Sequence, residues 1–438
     1  MIAHSFIEQL EDSDVIRPYG VVRKVAPGHM ESSGPMATVG DLCEIDDGQR
    51  VLAEVASVDE TGLILVPVRQ ERPVRPGARV KLLREGGVTP VGAAFAGRAV
   101  DALGLPIDAR GAVGADAMRP LSGTVPAPLD RGASGRKVVT GIRAIDGLLT
   151  LAEGQRIGVF AASGVGKTSL IEQLAGQIEC DRCILCLVGE RGREVEGIWR
   201  ELSARSDADR FTMVAATSDE TAALRARSVN SALCLAEYWR DRGEHVLLII
   251  DSVTRLAMAL REIGLAAGEP PTVRAYTPNV FAALPRLVER CGATRAGGAI
   301  TAVMTVLSET DEVDDPIVEV MKSLLDGHII LSRTLAEQGH FPAIDISRSI
   351  SRQASRLIDP RHGATARSAI ALLGTYEEAR VMIESGVYRT GASAAIDRAI
   401  GGRDKLLAFL RQGQAENIPF ETMLSALHAS IPAGAGHA

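Results

Sequence analysis

The chain has 438 residues, nearly half of them apolar, and a net charge of −7 with both signs interspersed. That length and composition predict two or three domains with ample apolar surface for their cores, and the mixed, slightly acidic balance argues against a dedicated nucleic-acid binder. No apolar run approaches the roughly 20 residues of a bilayer-spanning helix, and Glu8, Glu11 and Asp12 interrupt any signal-peptide core, so a cytoplasmic location is expected.

Within residues 1–18, Ile2, Phe6, Ile7 and Leu10 fall on one helical face, which predicts a partner-binding segment. Residues 19–90 change character: short β-rich pieces such as Val51–Val55, Leu63–Val66 and Arg79–Leu82 alternate with Gly, Pro and Asp turns. That rhythm predicts a small β-barrel. Residues 91–150, with a Pro-rich stretch from Pro120 to Pro128, are expected to connect the barrel to a core over 151–363. In that core, apolar strands at 157–160, 184–188, 246–250 and 300–306 alternate with helical stretches. This predicts an α/β fold, a mainly parallel sheet with helices on both faces. From 364 to 438 the periodicity is helical, as in Leu406, Leu407, Phe409 and Leu410, and a C-terminal helical domain is expected. The run Cys180, Cys183, Cys186 invites a metal reading. Cys183 and Cys186 lie in a predicted strand, however, where odd and even positions face opposite sides, so free buried thiols are the better account.

The stretch Ala161-Ala-Ser-Gly-Val-Gly-Lys-Thr168 follows a buried strand and opens a helix. A strand, a small-residue turn and Gly-Lys-Thr at a helix start is the context of a P-loop. Ser163, Gly164, Val165 and Gly166 leave room for successive backbone N–H groups to cradle phosphate oxygens, and the helix N-terminus, with Ser169 in its first turn, adds unsatisfied donors. Lys167 would reach the β- and γ-phosphates of ATP, and the Thr168 hydroxyl would ligate Mg²⁺. Glu190 follows the second strand and Asp251 ends the third, at the carboxyl edge where parallel sheets bind ligands. Glu190 is placed to polarise a water, with Glu194 next in line, and Asp251 to hold Mg²⁺. Ala161 stands at the first motif position in place of the usual Gly.

These stretches, with Val188-Gly-Glu-Arg-Gly-Arg-Glu-Val195, Asp251-Ser-Val-Thr-Arg255, Arg261 to Pro271 and Leu325 to Arg333, resemble the type III protein-export ATPases of flagella and injectisomes. Those ATPases are related to the catalytic subunit of rotary ATP synthases. The resemblance runs from about residue 17 to about 425 and implies a RecA-like P-loop core between a barrel and a helical domain. It implies ATP hydrolysis in a homohexameric ring with nucleotide at subunit interfaces. It implies regulatory and stalk proteins, export chaperones and clients as partners, no nucleic acid, and a peripheral place at the inner face of the cell membrane through the export gate. It favours the flagellar system. By position Glu190 matches the catalytic glutamate with Arg191 beside it, and Phe341 matches the aromatic that packs on adenine. Arg352 matches the arginine reaching a neighbour's nucleotide, with Arg348 and Arg356 as rivals, and Pro270–Pro278 matches a loop facing the central hole. The chain departs from the family at Ala162, where Gly is usual, and at the loop 308–315. A hexameric nucleic-acid translocase and a rotary-synthase subunit, catalytic or non-catalytic, are the alternatives. The acidic charge opposes the translocase, and the presence of Glu190 opposes the non-catalytic subunit.

Overall fold

The computed structural model describes residues 19–69, 73–84, 87–132, 135–308 and 315–431. Strands β1 (Gly20–Ala26), β2 (His29–Ser32), β3 (Leu42–Asp46), β4 (Arg50–Asp59), β5 (Gly62–Pro67) and β6 (Arg79–Arg84) close into a barrel in the order β1-β2-β5-β4-β3-β6. Alternation builds it. In β4, Val51, Ala53 and Val55 are buried while Leu52 and Glu54 between them are not. The buried set meets Ile45, Leu65 and Val80 in the barrel interior, and closure removes the free edges an open sheet would expose. The segment 1–18, with its expected helix, lies outside the described residues, as do residues 309–314 of the loop 308–315.

After the barrel come β7 (Val88–Val91), β8 (Arg98–Val100), β9 (Ala117–Pro120), β10 (Lys137–Val138), β11 (Leu151–Ala152), β12 (Arg156–Ala161), β13 (Arg182–Val188), β14 (Phe211–Ala216), β15 (His245–Asp251), β16 (Gly292–Ala293), β17 (Ala299–Leu307), β18 (Gly327–Leu331) and β19 (Ile344–Ser351). The main sheet has the order β19-β18-β12-β17-β15-β13-β14-β8, with β16 paired to β17. From β18 to β8 every neighbouring pair is parallel, and β19 is antiparallel to β18. Residues 91–150 are therefore more than a connector: β8 is an edge strand of the core sheet, and the helix Arg143–Leu148 is buried against it.

The sheet is covered on both faces, which is why its inner strands are apolar at most positions. In β15, Leu247 and Ile249 enter one core layer while Val246, Leu248 and Ile250 enter the other. Cys183 and Cys186 divide in the same way, as strand alternation requires. The helices Pro360–Glu384, Ala394–Leu410 and Phe420–Ser430 form the C-terminal unit. Their Ala366, Leu406, Phe409 and Leu427 continue the first layer without a break. The first of these helices starts at Pro360, where the Asp359 carboxylate accepts from the N–H groups of Arg361 and His362. It runs through the expected boundary at 363.

One buried ion pair pins the second layer. Arg290 and Glu237 are about 2% and 3% exposed and meet at 2.7 Å. The Arg290 guanidinium also donates to the Leu121 carbonyl at 2.8 Å and to Asn230 at 3.1 Å, so it ties the 91–150 segment to the core. Removing one partner strands a buried charge. Arg290→Ala is expected to cost about 3–5 kcal/mol in denaturant unfolding. Arg290→Ala combined with Glu237→Leu should recover a large part of that loss, because no unpaired charge is left inside.

Candidate active site at the carboxyl edge of the sheet

The loop after β12 turns through Gly164 and Gly166, with φ of 79° and 92°, a left-handed region that favours glycine. Gly166 is the N-cap of the helix Lys167–Gln177, which has no side-chain cap and no acidic residue in its first turn. Its positive end is therefore left uncompensated and faces the loop. Ser163 and Gly164 are exposed at the rim, while Val165 is buried and anchors the turn.

The parallel sheet brings the remaining groups to the same edge. Lys167 Nζ donates to Asp251 Oδ1 at the end of β15 and, at 3.3 Å, to Glu190 Oε1 just beyond β13. All three side chains are largely buried, at 12%, 4% and 9% exposure. Thr305 of β17, the strand between β12 and β15, donates its hydroxyl to Asp251 Oδ1 at 2.6 Å. Burial lifts the Glu190 carboxyl above its ordinary value; Lys167 opposes the lift, Asp251 adds to it, and Arg255 opposes it again. Phe341 is 45% exposed. A Cβ on Gly166 would stand 3.3 Å from the Phe341 ring, so the aromatic lies directly over the phosphate-loop turn. An uncompensated helix terminus, a lysine, two carboxylates and an open aromatic face together can bind a polyanion carrying a flat base.

A family model for the nucleotide-binding domain of the ATP synthase alpha/beta family matches residues 141–351, and one for the T3SS EscN ATPase C-terminal domain matches residues 358–429. A flagellum-specific ATP synthase of Bacillus subtilis is 41% identical over 98% of this chain and 98% of its own length. A type 3 secretion system ATPase of Xanthomonas euvesicatoria is 40% identical over 94% of this chain and 93% of its own. The assembled ATPase EscN of the enteropathogenic E. coli type III secretion system matches with a TM-score of 0.89 at 36% identity, covering 94% of this chain and 100% of that one. EscN in complex with its central stalk EscO matches with a TM-score of 0.85 at 36% identity, over 94% of this chain and 100% of that one. The chain belongs to the flagellar and type III secretion ATPases.

Not every residue expected at the site of this ATPase family member reaches it. Arg191 is exposed and pairs only loosely with Glu194, at 3.9 Å. The guanidinium beside Glu190 is that of Arg255, with Nε 3.4 Å from Glu190 Oε1. Sequence reasoning missed Arg255 and Thr305. The signal for Arg255 was its place one helical turn after Asp251, in the helix Val253–Ala266 that Ser252 caps. Arg352 lies elsewhere. It follows β19, whose last residue Ser351 pairs with Gly327, which in turn pairs with Ile157 near the start of β12. At a strand rise of about 3.3 Å per residue, Arg352 sits more than about 13 Å from the phosphate loop of its own chain, at the opposite edge of the sheet. Arg348, within β19, and Arg356, in the short helix Ala354–Leu357 that follows it, are also exposed. In the loop 270–278, Tyr276 is buried at 4% exposure and stacks edge-on with Phe281, whereas Val273 is 66% exposed. Any partner of that loop meets Val273, not Tyr276.

Gly189 positions Glu190. Its φ is 67°, and a Cβ there would lie 2.8 Å from Arg255 Cδ. Gly192, the first residue of the helix Gly192–Ser203, has open space around it. Gly189→Ala is expected to lose about 1–2 kcal/mol of unfolding free energy, whereas Gly192→Ala should leave stability within about 0.5 kcal/mol. Equal losses in the two variants would remove the special role of the Gly189 turn.

Proposed function

We propose that this chain hydrolyses ATP as a homohexameric ring and energises protein export through a flagellar or injectisome type III apparatus. The observation that carries the reading is Lys167 held between Asp251 and Glu190 beneath the uncompensated helix N-terminus. The family relationship supplies the export context.

On binding, the β- and γ-phosphate oxygens take over Lys167, and the N–H groups of residues 163–169 cradle them. Oxygen donors suit a hard cation: the Thr168 hydroxyl and the Asp251 carboxylate would hold Mg²⁺, whose charge would offset that of the phosphate oxygens. Phe341 stacks on adenine. Glu190, released from Lys167, accepts a proton from the water that attacks the γ-phosphorus, and its lifted pKa suits that exchange. Arg255 stands beside Glu190 and faces the γ-phosphoryl charge, a role that Arg191 is turned away from. The far side of the γ-phosphoryl group needs a further cation. Arg352, remote from its own phosphate loop and exposed, supplies it to the neighbouring subunit. A central stalk of the EscO kind occupies the ring axis and meets the loop 270–278. Regulators, chaperones, clients and a peripheral position at the membrane export gate belong to the same reading. No described helix is long and apolar enough to cross a membrane.

Binding and chemistry are separable. Lys167→Ala is expected to lose both ATP binding and turnover. Glu190→Gln should keep ATP binding and assembly while turnover falls about 100-fold or more. In the unmodified protein kcat/KM reports the free enzyme, so it should fall on acidification through a pKa above the ordinary glutamate value of about 4.3. Protonation of Glu190 removes the base, so this acid limb should be missing in Glu190→Gln. An unchanged limb in that variant would assign it to another group.

The arginine is tested by mixing. Arg352→Ala and Lys167→Ala are each expected to be inactive alone, a trans arginine being worth about 10³–10⁵ in rate. In mixed rings some sites pair an intact phosphate loop with an intact neighbouring Arg352, and partial activity should return. A linked dimer carrying both changes on one half separates action in trans from a requirement that every site be intact.

A further inference from the structure

The helix Ala394–Leu410 ends in a short strap, residues 411–417, that does not pack as an ordinary connector. Its Gln412 is 6% exposed, and its backbone N–H and both side-chain amide atoms bond to the nucleotide domain or to the strap itself. The backbone N–H of Gln412 donates to the Phe341 carbonyl at 2.9 Å. Its side-chain Nε2 donates to the Gly141 carbonyl at 2.6 Å and the Glu416 carbonyl at 2.7 Å, and its Oε1 accepts the Arg143 N–H at 2.8 Å. Arg143 closes the strap from the other side, donating to the carbonyls of Phe409 and Arg411 at 3.1 and 3.0 Å and pairing with Glu416. Arg411 Nε reaches Nδ1 of the buried His340 at 3.4 Å. The two residues that precede Pro342 are thus both held by the strap, and one of them is the exposed aromatic over the phosphate loop.

We propose that Gln412 is a positioning residue for the nucleotide base: it fixes the backbone of Phe341 and so carries the position of the C-terminal helices into base binding. The inference rests on the reading of Phe341 as the adenine platform. Phe341 has a half-exposed ring and no side-chain hydrogen bond to fix it, so its place is set by its main chain. On the strap side that main chain is held at the Phe341 carbonyl by Gln412. Gln412 is in turn held by its amide. A glutamine at this point satisfies two carbonyls and one N–H at once, which a carboxylate cannot do because it has no hydrogen to donate. A displacement of the helix Ala394–Leu410 moves Gln412 first, and the aromatic next. The phosphate end is served separately. Among the described residues, the strap's hydrogen bonds reach the helix Lys167–Gln177 at Glu172, in its middle, and at Gln177, its last residue, and none reaches its N-terminal turn.

The experiment compares ATP with inorganic tripolyphosphate, which has the phosphates and no base, on the full chain. Gln412→Met keeps the length of the side chain and removes its hydrogen bonds; Gln412→Glu keeps the acceptor for Arg143 and loses the donors. Both variants are expected to bind ATP about tenfold more weakly, the change that corresponds to one net hydrogen bond, with tripolyphosphate affinity unchanged. In a Phe341→Ala background, Gln412→Met should weaken ATP no further. Phe341→Ala that binds ATP normally would overturn the platform reading itself. Phe341→Ala that weakens ATP, beside Gln412 variants that do not, would overturn the positioning role alone. Equal weakening of ATP and tripolyphosphate would also overturn it, because the strap would then act on the phosphate-loop helix or on folding at large.

Discussion

Three charged side chains share one desolvated pocket at the carboxyl edge of the sheet, and the rest of the molecule is arranged to bring them there. Lys167 opens the helix after β12, Glu190 lies just beyond β13 and Asp251 ends β15. Parallel pairing is what makes them neighbours: β12, β13, β15 and β17 all run the same way, so their last residues lie along one line. Burying such ions is costly, and a well-packed apolar substitute is often as stable. Burial, with the Asp251 charge added to it, holds the Glu190 carboxyl above its ordinary value, and Lys167 and Arg255 offset only part of that lift. The cluster makes better sense as a site held ready for exchange. In the mechanism proposed above, a polyanion takes Lys167 from the carboxylates, which are then free for a cation and a water.

The three units of the chain are joined by buried polar contacts of the same kind. Arg227 of the helix Ala222–Arg240, 2% exposed, pairs at 3.1 Å with Glu54 of the barrel and also donates to the Val88 carbonyl. Arg290 holds the segment that leads from the barrel into the core. Arg143 and Gln412 hold the helical unit. Each of these groups satisfies at least one main-chain carbonyl and a second partner, so a relative shift of two units breaks several bonds at once. Such joints favour movement in discrete steps over gradual deformation, since the packed cores between them do not stretch.

What the sequence disclosed follows from how each element is buried. β12, β13, β15 and β17 are covered on both faces and read as continuous apolar runs, so they and the carboxylates after them were legible. β2, β3 and β19 were not. Their sequences, His-Met-Glu-Ser, Leu-Cys-Glu-Ile-Asp and Ile-Asp-Ile-Ser-Arg-Ser-Ile-Ser, mix polar residues into one half-buried face. β8 is only three residues long and is a strand because β14 lies beside it. At the site, the phosphate loop, Glu190 and Asp251 are local signals, each tied to the strand that precedes it. Thr305 is not, because its meaning depends on which strands are neighbours, and Arg255, though one helical turn after Asp251, meets Glu190 only because β13 and β15 pair. Tyr276 illustrates the same limit: a stiff, proline-rich loop was legible, but which of its side chains turns inward was decided by Phe281.

The position of β19 gives the site its incompleteness. It is the terminal strand of the sheet, antiparallel to the strand beside it, so its chain direction carries Arg352 away from the edge where Lys167 lies. No rotamer of an arginine spans the length of β12. Within one chain the γ-phosphate position therefore has cations on the side of Lys167 and Arg255 and none from the SISR stretch. An edge strand that ends in exposed Arg348 and Arg352 is also protected from pairing with another sheet, because charge on an edge disfavours strand addition. In the proposed ring, contact with a second copy at this edge is made through side chains, Arg352 among them. In the mechanism proposed above, in which Arg352 serves a neighbour's site, turnover requires a seated neighbour, and the direction of a single strand couples hydrolysis to assembly.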